Sequence, residues 1–238
     1  MTTFVLVHGA WHGGWCWHKI VSRLEVAGHA AVAPDMRGHG IDRTPIESLT
    51  LDSLAEGVCA VVGKQPGPVV LVGHSFGGTI ITEVGERMPG AVRALVYLTA
   101  FLVPGGKSMT DLNAPDPESL IADNLVISAD GKSVTVNPAR IRYIFYGDCQ
   151  GEDVALARAL LVPEGMAAFS TPSSATPSRW GSLPSAYIEC TRDRAIGIAR
   201  QRQFASYLAN PKRFSLDCDH SPFFSLPDRL TECLLKLA

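Results

Sequence analysis

The chain has 238 residues, 46% of them hydrophobic and 18% charged, with a formal net charge of -2. Its basic residues are scattered, which argues against a nucleic-acid partner, and its longest uncharged apolar run, residues 94–104, falls far short of the roughly 20 residues that span a membrane. The length fits one large domain, or one with an insertion, around a sizeable core.

Thr3 to Val7 is a continuous apolar run of the kind buried on both faces of a parallel sheet, and it leads into His8-Gly9-Ala10-Trp11-His12-Gly13-Gly14. A helix is predicted from about Trp15 to Ala27, stopped by Gly28. Ala30 to Ala33 reads as a strand, Leu51 to Lys64 as a helix opened by Thr50 or Asp52, and Val69 to Val72 as another buried strand. Thr79 to Met88 has helical spacing, and Val92 to Ala100 is again a strand. Strands alternating with helices imply a mostly parallel sheet covered on both faces. From Phe101 the rhythm breaks. Pro104-Gly105-Gly106 and Asn113-Ala114-Pro115-Asp116-Pro117 are loop-like, and residues 126–136 alternate around Asp130-Gly131 as a hairpin. Short helical patterns follow at residues 139–146 and 153–161, and residues 171–184 form a Ser/Thr/Pro-rich linker. The sheet resumes at Ala186 to Cys190, followed by a helix over residues 195–208, a last strand at Lys212 to Leu216 and a terminal helix opened by Pro227. The expected division is a core of residues 1–100 and 184–238, with residues 101–183 inserted as a cap over the carboxyl edge of a six-stranded sheet.

The chemistry centres on Gly73-His74-Ser75-Phe76-Gly77, a G-x-S-x-G pattern between strand and helix. In that context the serine sits on a turn sharp enough to lift its hydroxyl above the sheet, and the flanking glycines avoid side-chain collisions. The helix beneath turns its positive end toward the place where negative charge develops. A serine hydroxyl is inert at neutral pH without an imidazole, and the imidazole needs a carboxylate to fix its tautomer. His220 follows the last strand, Asp193 follows the strand before it, and the order Ser…Asp…His completes a catalytic set.

Other histidines have plainer readings. His8 and His12 flank a glycine turn, where structural hydrogen bonding is favoured over a metal site. His74 points away from the open side of the turn, His39 lies on a mobile loop, and His18 and His29 belong to helix or turn surfaces. Glu189 lies within a strand, and Asp217 and Asp219 crowd the loop of His220 itself. The stretch Thr99-Ala100-Phe101-Leu102, an alternative position for the acid, has no carboxylate. Two backbone N–H groups, of Ala10 and Phe76, are expected to form an oxyanion hole. Trp11, Phe101, Phe145, Trp180 and Phe223 are the candidate substrate-binding aromatics. Neither a metal nor another cofactor is required by this chemistry. The six cysteines form no C-x-x-C pair and read as free thiols. With no basic leader at Met1-Thr2-Thr3, a cytoplasmic protein is expected, as monomer or homodimer.

The runs Phe4 to Trp15, Gly73 to Gly78, Thr191-Arg192-Asp193-Arg194 and Asp219-His220-Ser221-Pro222 resemble the α/β-hydrolase superfamily. More narrowly they are similar to the branch of plant methylesterases, plant hydroxynitrile lyases and small bacterial carboxylesterases such as pyrethroid hydrolases. The resemblance implies an α/β-hydrolase fold and a serine hydrolase acting on small carboxylic esters through an acyl-enzyme. Lyases of the rubber-tree and cassava type carry a threonine where Gly9 stands and a lysine where Ser221 stands, so hydrolysis is favoured. A different lyase type, a lactonase, or a ligand-binding member without turnover are the alternative readings.

Overall fold

The computed structural model describes residues 1–112 and 116–238, so the predicted loop at Asn113-Ala114-Pro115 lies outside the described residues. β1 (Thr3–Val7) is entirely buried and is followed by a single tight turn at Gly14–Trp17 and by α1 (His18–Val26). The helix predicted from Trp15 therefore begins three residues later. Gly28, at φ 83°, takes the left-handed conformation that ends this segment. Then come β2 (Ala30–Val32), α2 (Leu51–Val62), β3 (Val69–His74), α3 (Gly77–Arg87) and β4 (Val92–Leu98). α2 starts where the sequence allows it to. The Thr50 hydroxyl accepts from the Ser53 N–H at 3.1 Å, and the Ser53 hydroxyl accepts from the Thr50 N–H at 2.9 Å.

Residues beyond Phe101 hold β5 (Leu125–Ile127), β6 (Ser133–Val136), α4 (Ile141–Phe145), α5 (Gly151–Leu160), β7 (Glu164–Gly165) and α6 (Met166–Ser170). β5 and β6 pair antiparallel across the predicted turn, and β7 adds a third strand that the sequence pattern did not reveal because it is two residues long. The chain returns through β8 (Ser185–Cys190), α7 (Ile198–Ser206), β9 (Lys212–Leu216), α8 (Pro222–Ser225) and α9 (Pro227–Leu235). α7 starts later than predicted because the N–H groups of Ala195 and Ile196 are committed to the Asp193 carboxylate.

The main sheet has six strands in the order β2-β1-β3-β4-β8-β9, and every pair in it is parallel. From β1 the chain steps outward to β2 and then crosses back to place β3 on the other side of β1. The carboxyl ends of β1 and β3 therefore flank the point where the winding direction reverses, the place where open α/β sheets bind ligands. The loop carrying Ala10 and the turn carrying Ser75 meet there.

The return segment is a pinned strap, not a loose linker. Buried Glu83 of α3 accepts hydrogen bonds from the Ser173 hydroxyl at 2.7 Å and the Ser174 N–H at 2.8 Å. One turn further along, Glu86 accepts from the Thr176 N–H at 2.8 Å and its hydroxyl at 2.9 Å. All six cysteines are free thiols, and among the described residues no helix is long and apolar enough to cross a membrane.

Candidate active site

Ser75 stands at φ 53°, a left-handed conformation that a non-glycine residue adopts only where its surroundings over-determine it. Those surroundings are glycine-lined. A Cβ on Gly73 would lie 2.5 Å from the Gly77 carbonyl oxygen, and one on Gly77 would lie 2.6 Å from that of His8. The turn is further held by the Ser75 N–H donating to the Leu98 carbonyl at 3.2 Å and by the Phe101 N–H donating to the Ser75 carbonyl at 3.0 Å. β1 and β4 thus grip the serine from both sides.

The loops after β8 and β9 bring Asp193 and His220 together in a buried pair, Nδ1 to Oδ2 at 2.6 Å. Because a carboxylate oxygen only accepts, Nδ1 is the donor in this bond, and in the neutral ring that leaves Nε2 as the nitrogen able to take a proton. Asp193 is itself fixed. Its Oδ1 accepts from the N–H groups of Ala195 at 2.6 Å and Ile196 at 3.0 Å, and its Oδ2 also takes the Thr99 hydroxyl. Thr99 was not anticipated as a participant. It occupies the place where the sequence shows no carboxylate, and its strained φ of 36° turns its hydroxyl onto Asp193. His74 joins the two halves, donating from Nε2 to the His220 carbonyl at 2.8 Å, with ring centroids 4.5 Å apart. Its burial drives its pKa well below the ordinary value, so it serves as a neutral strut. Among the described residues, neither Ser75 Oγ nor His220 Nε2 makes a hydrogen bond; the one side-chain bond of His220 is that from Nδ1 to Asp193.

The rival acids stand elsewhere. Asp219 accepts from the Asp148 N–H at 3.0 Å and the Ser225 hydroxyl at 2.9 Å, fastening the segment after α4 to the His220 loop. Asp217 pairs with Arg192, and Glu189 with Arg202, at the surface.

The glycine-rich loop after β1 is organised by its histidines. The His8 Nε2 accepts from the Met36 N–H at 3.1 Å, which leaves Nδ1 to donate to the Gly9 carbonyl at 2.8 Å. That carbonyl belongs to the same planar peptide as the Ala10 N–H, so His8 sets the direction in which Ala10 points. His12 donates from Nδ1 to the Ala10 carbonyl at 2.7 Å and accepts the Tyr146 hydroxyl at 2.6 Å. Burial lowers the pKa of His8 well below normal and that of His12 to about 4. All four ring nitrogens are thus occupied by hydrogen bonds. His39, read from sequence onto a mobile loop, is fully buried against Glu164 at 3.0 Å. Burial opposes its charge, but the carboxylate prevails and raises its pKa.

The N–H groups of Ala10 and Phe76 have no hydrogen-bond acceptor among the described residues, and both residues border a cavity of about 210 Å³ into which Ser75 opens. Trp11 and Phe101 also line it. Residues that sequence reasoning missed complete it from the second sheet and its neighbours, notably Met109, Ile121, Val134, Met166 and Phe169. They are scattered apolar residues with no distinguishing pattern before the fold brings them together. Two predicted aromatics are elsewhere. The Trp180 indole donates to the Tyr97 hydroxyl at 2.7 Å and lines a separate cavity beside Leu95 and Pro177, because the pinned strap holds it against α3. Phe223 is fully buried behind the site, with ring centroids 5.0 Å from His74 and 5.3 Å from Trp17. Phe145 does not line this cavity, but its ring stands 5.5 Å from that of His220.

Known proteins share this fold. A pyrethroid hydrolase from Sphingobium wenxiniae is 30% identical over 251 residues, covering 100% of this chain and 88% of the relative. Methylesterase 2 from Arabidopsis thaliana is 32% identical over 250 residues, covering 99% and 95% of the two chains. The crystal structure of a pyrethroid hydrolase from Sphingobium faniae JZ-2 superposes with a TM-score of 0.88 at 29% identity, covering 99% of this chain and 96% of that one. The model of the alpha/beta hydrolase family matches residues 4–232, from the first strand into the last helix, and the chain belongs to that family.

Proposed function

We propose that the chain hydrolyses carboxylic esters of small apolar or aromatic substrates through an acyl-enzyme on Ser75. The observation that carries this reading is the strained Ser75 opening, with the unpartnered amides of Ala10 and Phe76, into one cavity, and a buried Asp193–His220 pair whose His220 carbonyl is bonded to the neighbouring His74 supports it. Ser75 Oγ attacks the ester carbonyl carbon while His220 Nε2 takes its proton. Asp193, held by Thr99 and two backbone amides, stabilises the imidazolium. The developing oxyanion is received by the N–H groups of Ala10 and Phe76. His220 then protonates the departing alkoxide, and the alcohol leaves. In the second half the same nitrogen takes a proton from water, whose oxygen attacks the acyl carbon, and Ser75 regains its proton as the acid departs. Each proton and bond in this cycle is handled by side chains and backbone, so the steps need no metal or other cofactor.

Substrate size follows from the cavity. At about 210 Å³, with apolar walls apart from Ser75 and Thr110, it suits a short acyl or alkyl group or one aromatic ring. Gly9 matters to the choice between ester and cyanohydrin chemistry. A Cβ there would stand 2.9 Å from that of Ser75, so a hydroxyl-bearing side chain at this position would require the loop to move.

The test is release of p-nitrophenol from acetate through octanoate esters, with and without a serine-directed phosphonate. Turnover that the phosphonate abolishes, together with a loss of about a thousandfold or more in Ser75→Ala, supports the reading. Undiminished turnover in Ser75→Ala overturns it.

A further inference from the structure

A second cavity, of about 310 Å³, shares Trp11 with the Ser75 cavity. Its walls are Trp11, Phe145 of α4, Val136 of β6, Ile141 and Leu161, and Arg158 of α5 closes its rim. Apart from Arg158 and Thr135 the lining side chains are apolar. Arg158 is exposed, and among the described residues no carboxylate pairs with it. It also borders a neighbouring surface basin together with Arg142, Arg192 and Arg194. The carboxylates in that basin are already engaged. Asp148 lies 3.2 Å from Arg192, and Asp219 is held by the Asp148 N–H and the Ser225 hydroxyl.

This combination selects its occupant. A hydrophilic anion would leave the aromatic and aliphatic walls wet, and a purely apolar molecule would leave the cation at the rim unused. An apolar body with a terminal carboxylate satisfies both, since a guanidinium binds a carboxylate through two parallel charge-assisted hydrogen bonds. The volume lies at the lower end of pockets that hold small organic ligands.

We infer that this cavity is a second ligand site, for an amphipathic carboxylate whose body packs on Trp11 and Phe145 and whose carboxylate pairs with Arg158. The site is separate from the Ser75 cavity, which Arg158 does not border. Both walls nevertheless reach the first site: Trp11 lines the Ser75 cavity, and Phe145 packs toward His220.

Isothermal titration with 4-butylbenzoate tests the inference, with 4-butylbenzyl alcohol as the uncharged control. Binding is read directly, so the outcome does not depend on any esterase activity. Arg158→Ala is expected to weaken the benzoate about tenfold while leaving the alcohol unchanged, and Arg158→Lys to restore only part of the loss, since an ammonium keeps the charge but not the paired bonds. Thr135→Trp, which fills this cavity from its half-buried edge, should remove binding of both. Leu125→Trp, which fills the Ser75 cavity, should leave the benzoate bound. Equal benzoate affinity in wild type and Arg158→Ala overturns the inference, as does no benzoate binding at millimolar concentration. Loss of binding in Leu125→Trp with retention in Thr135→Trp would place the ligand in the Ser75 cavity and also overturn it. Arg158 is exposed, so its variants are expected to fold and to decide the matter even if a tryptophan variant does not.

Discussion

Replacing Asp193 by asparagine changes one oxygen into an NH₂ group in a site where the two backbone donors to Oδ1 have a fixed direction. Oδ1 accepts from the backbone N–H groups of Ala195 and Ile196, which cannot turn away, so the asparagine oxygen stays with them. The NH₂ group then faces the Thr99 hydroxyl and His220 Nδ1. The hydroxyl can rotate and accept. The imidazole can accept only by moving its proton to Nε2, the nitrogen that must receive the proton of Ser75. The fold should survive, at a cost of about 1–3 kcal/mol for the altered buried hydrogen bonds. The rate should not: kcat is expected to fall about 10³–10⁴-fold with little change in KM. Asp219→Asn is the matched control. Its carboxylate accepts from Asp148, Ser221 and Ser225 and from the Cys149 thiol, so it should lose stability of similar size while kcat stays near wild type. Steady-state p-nitrophenyl butyrate hydrolysis, with urea unfolding of the same samples, separates the two effects. A kcat for Asp193→Asn within tenfold of wild type, or the larger loss falling on Asp219→Asn, would refute the assignment.

Two further outcomes are expected. Gly9→Ala sets a methyl 2.9 Å from Ser75 Cβ and 3.0 Å from His74 Nδ1, which should cost about 1–3 kcal/mol as the loop shifts and lower kcat more than it raises KM; wild-type kinetics and stability would show that the loop yields freely. Stability should also depend on the burial of His12. Its folded pKa of about 4 lies below its unfolded value near 6.5, so the unfolded chain gains the proton first; stability from this group is full above about pH 6.5 and falls by up to about 3 kcal/mol as pH drops toward 4. Urea unfolding between pH 7 and 4.5 should therefore slope more steeply in wild type than in His12→Gln, and equal slopes would contradict it.

The centre of the parallel sheet was legible because β1 and residues 69–72 of β3 are continuous apolar runs buried throughout, whereas the edge strand β9, Lys-Arg-Phe-Ser-Leu and mostly exposed, was read from its place in the alternation of strands and helices. Ser75, Asp193 and His220 were legible as candidates because Ser75 directly follows β3 and the other two lie in the loops just after β8 and β9, at the same sheet edge. Thr99 was not, since a hydroxyl after a strand carries no mark until a backbone strain turns it toward a partner. Trp180 and Phe223 show the opposite failure. An aromatic residue near a predicted pocket has the same composition whether it faces substrate or fills the wall behind it, and here the Glu86 anchor and the His74 strut decide. His39 looked unconstrained because its partner, Glu164, is 125 positions away.

The segment from Phe101 to Leu183 is moored to the sheet domain at several points among its described residues. The Trp11 indole donates to the Val134 carbonyl, the Trp11 carbonyl accepts the Val162 N–H, and His39 meets Glu164. Asp219 holds the Asp148 N–H, and Glu83 and Glu86 hold the returning strap. Each mooring has its fixed end on the sheet domain. Grafting a different roof onto this base, whether by engineering or by descent, would therefore require the transplanted segment to bring matching donors for Glu83, Glu86 and Asp219 and an acid for His39. The interchangeable unit is larger than the transplanted segment itself: it includes His39, Glu83, Glu86 and Asp219, spread through the base, none of which borders the Ser75 cavity.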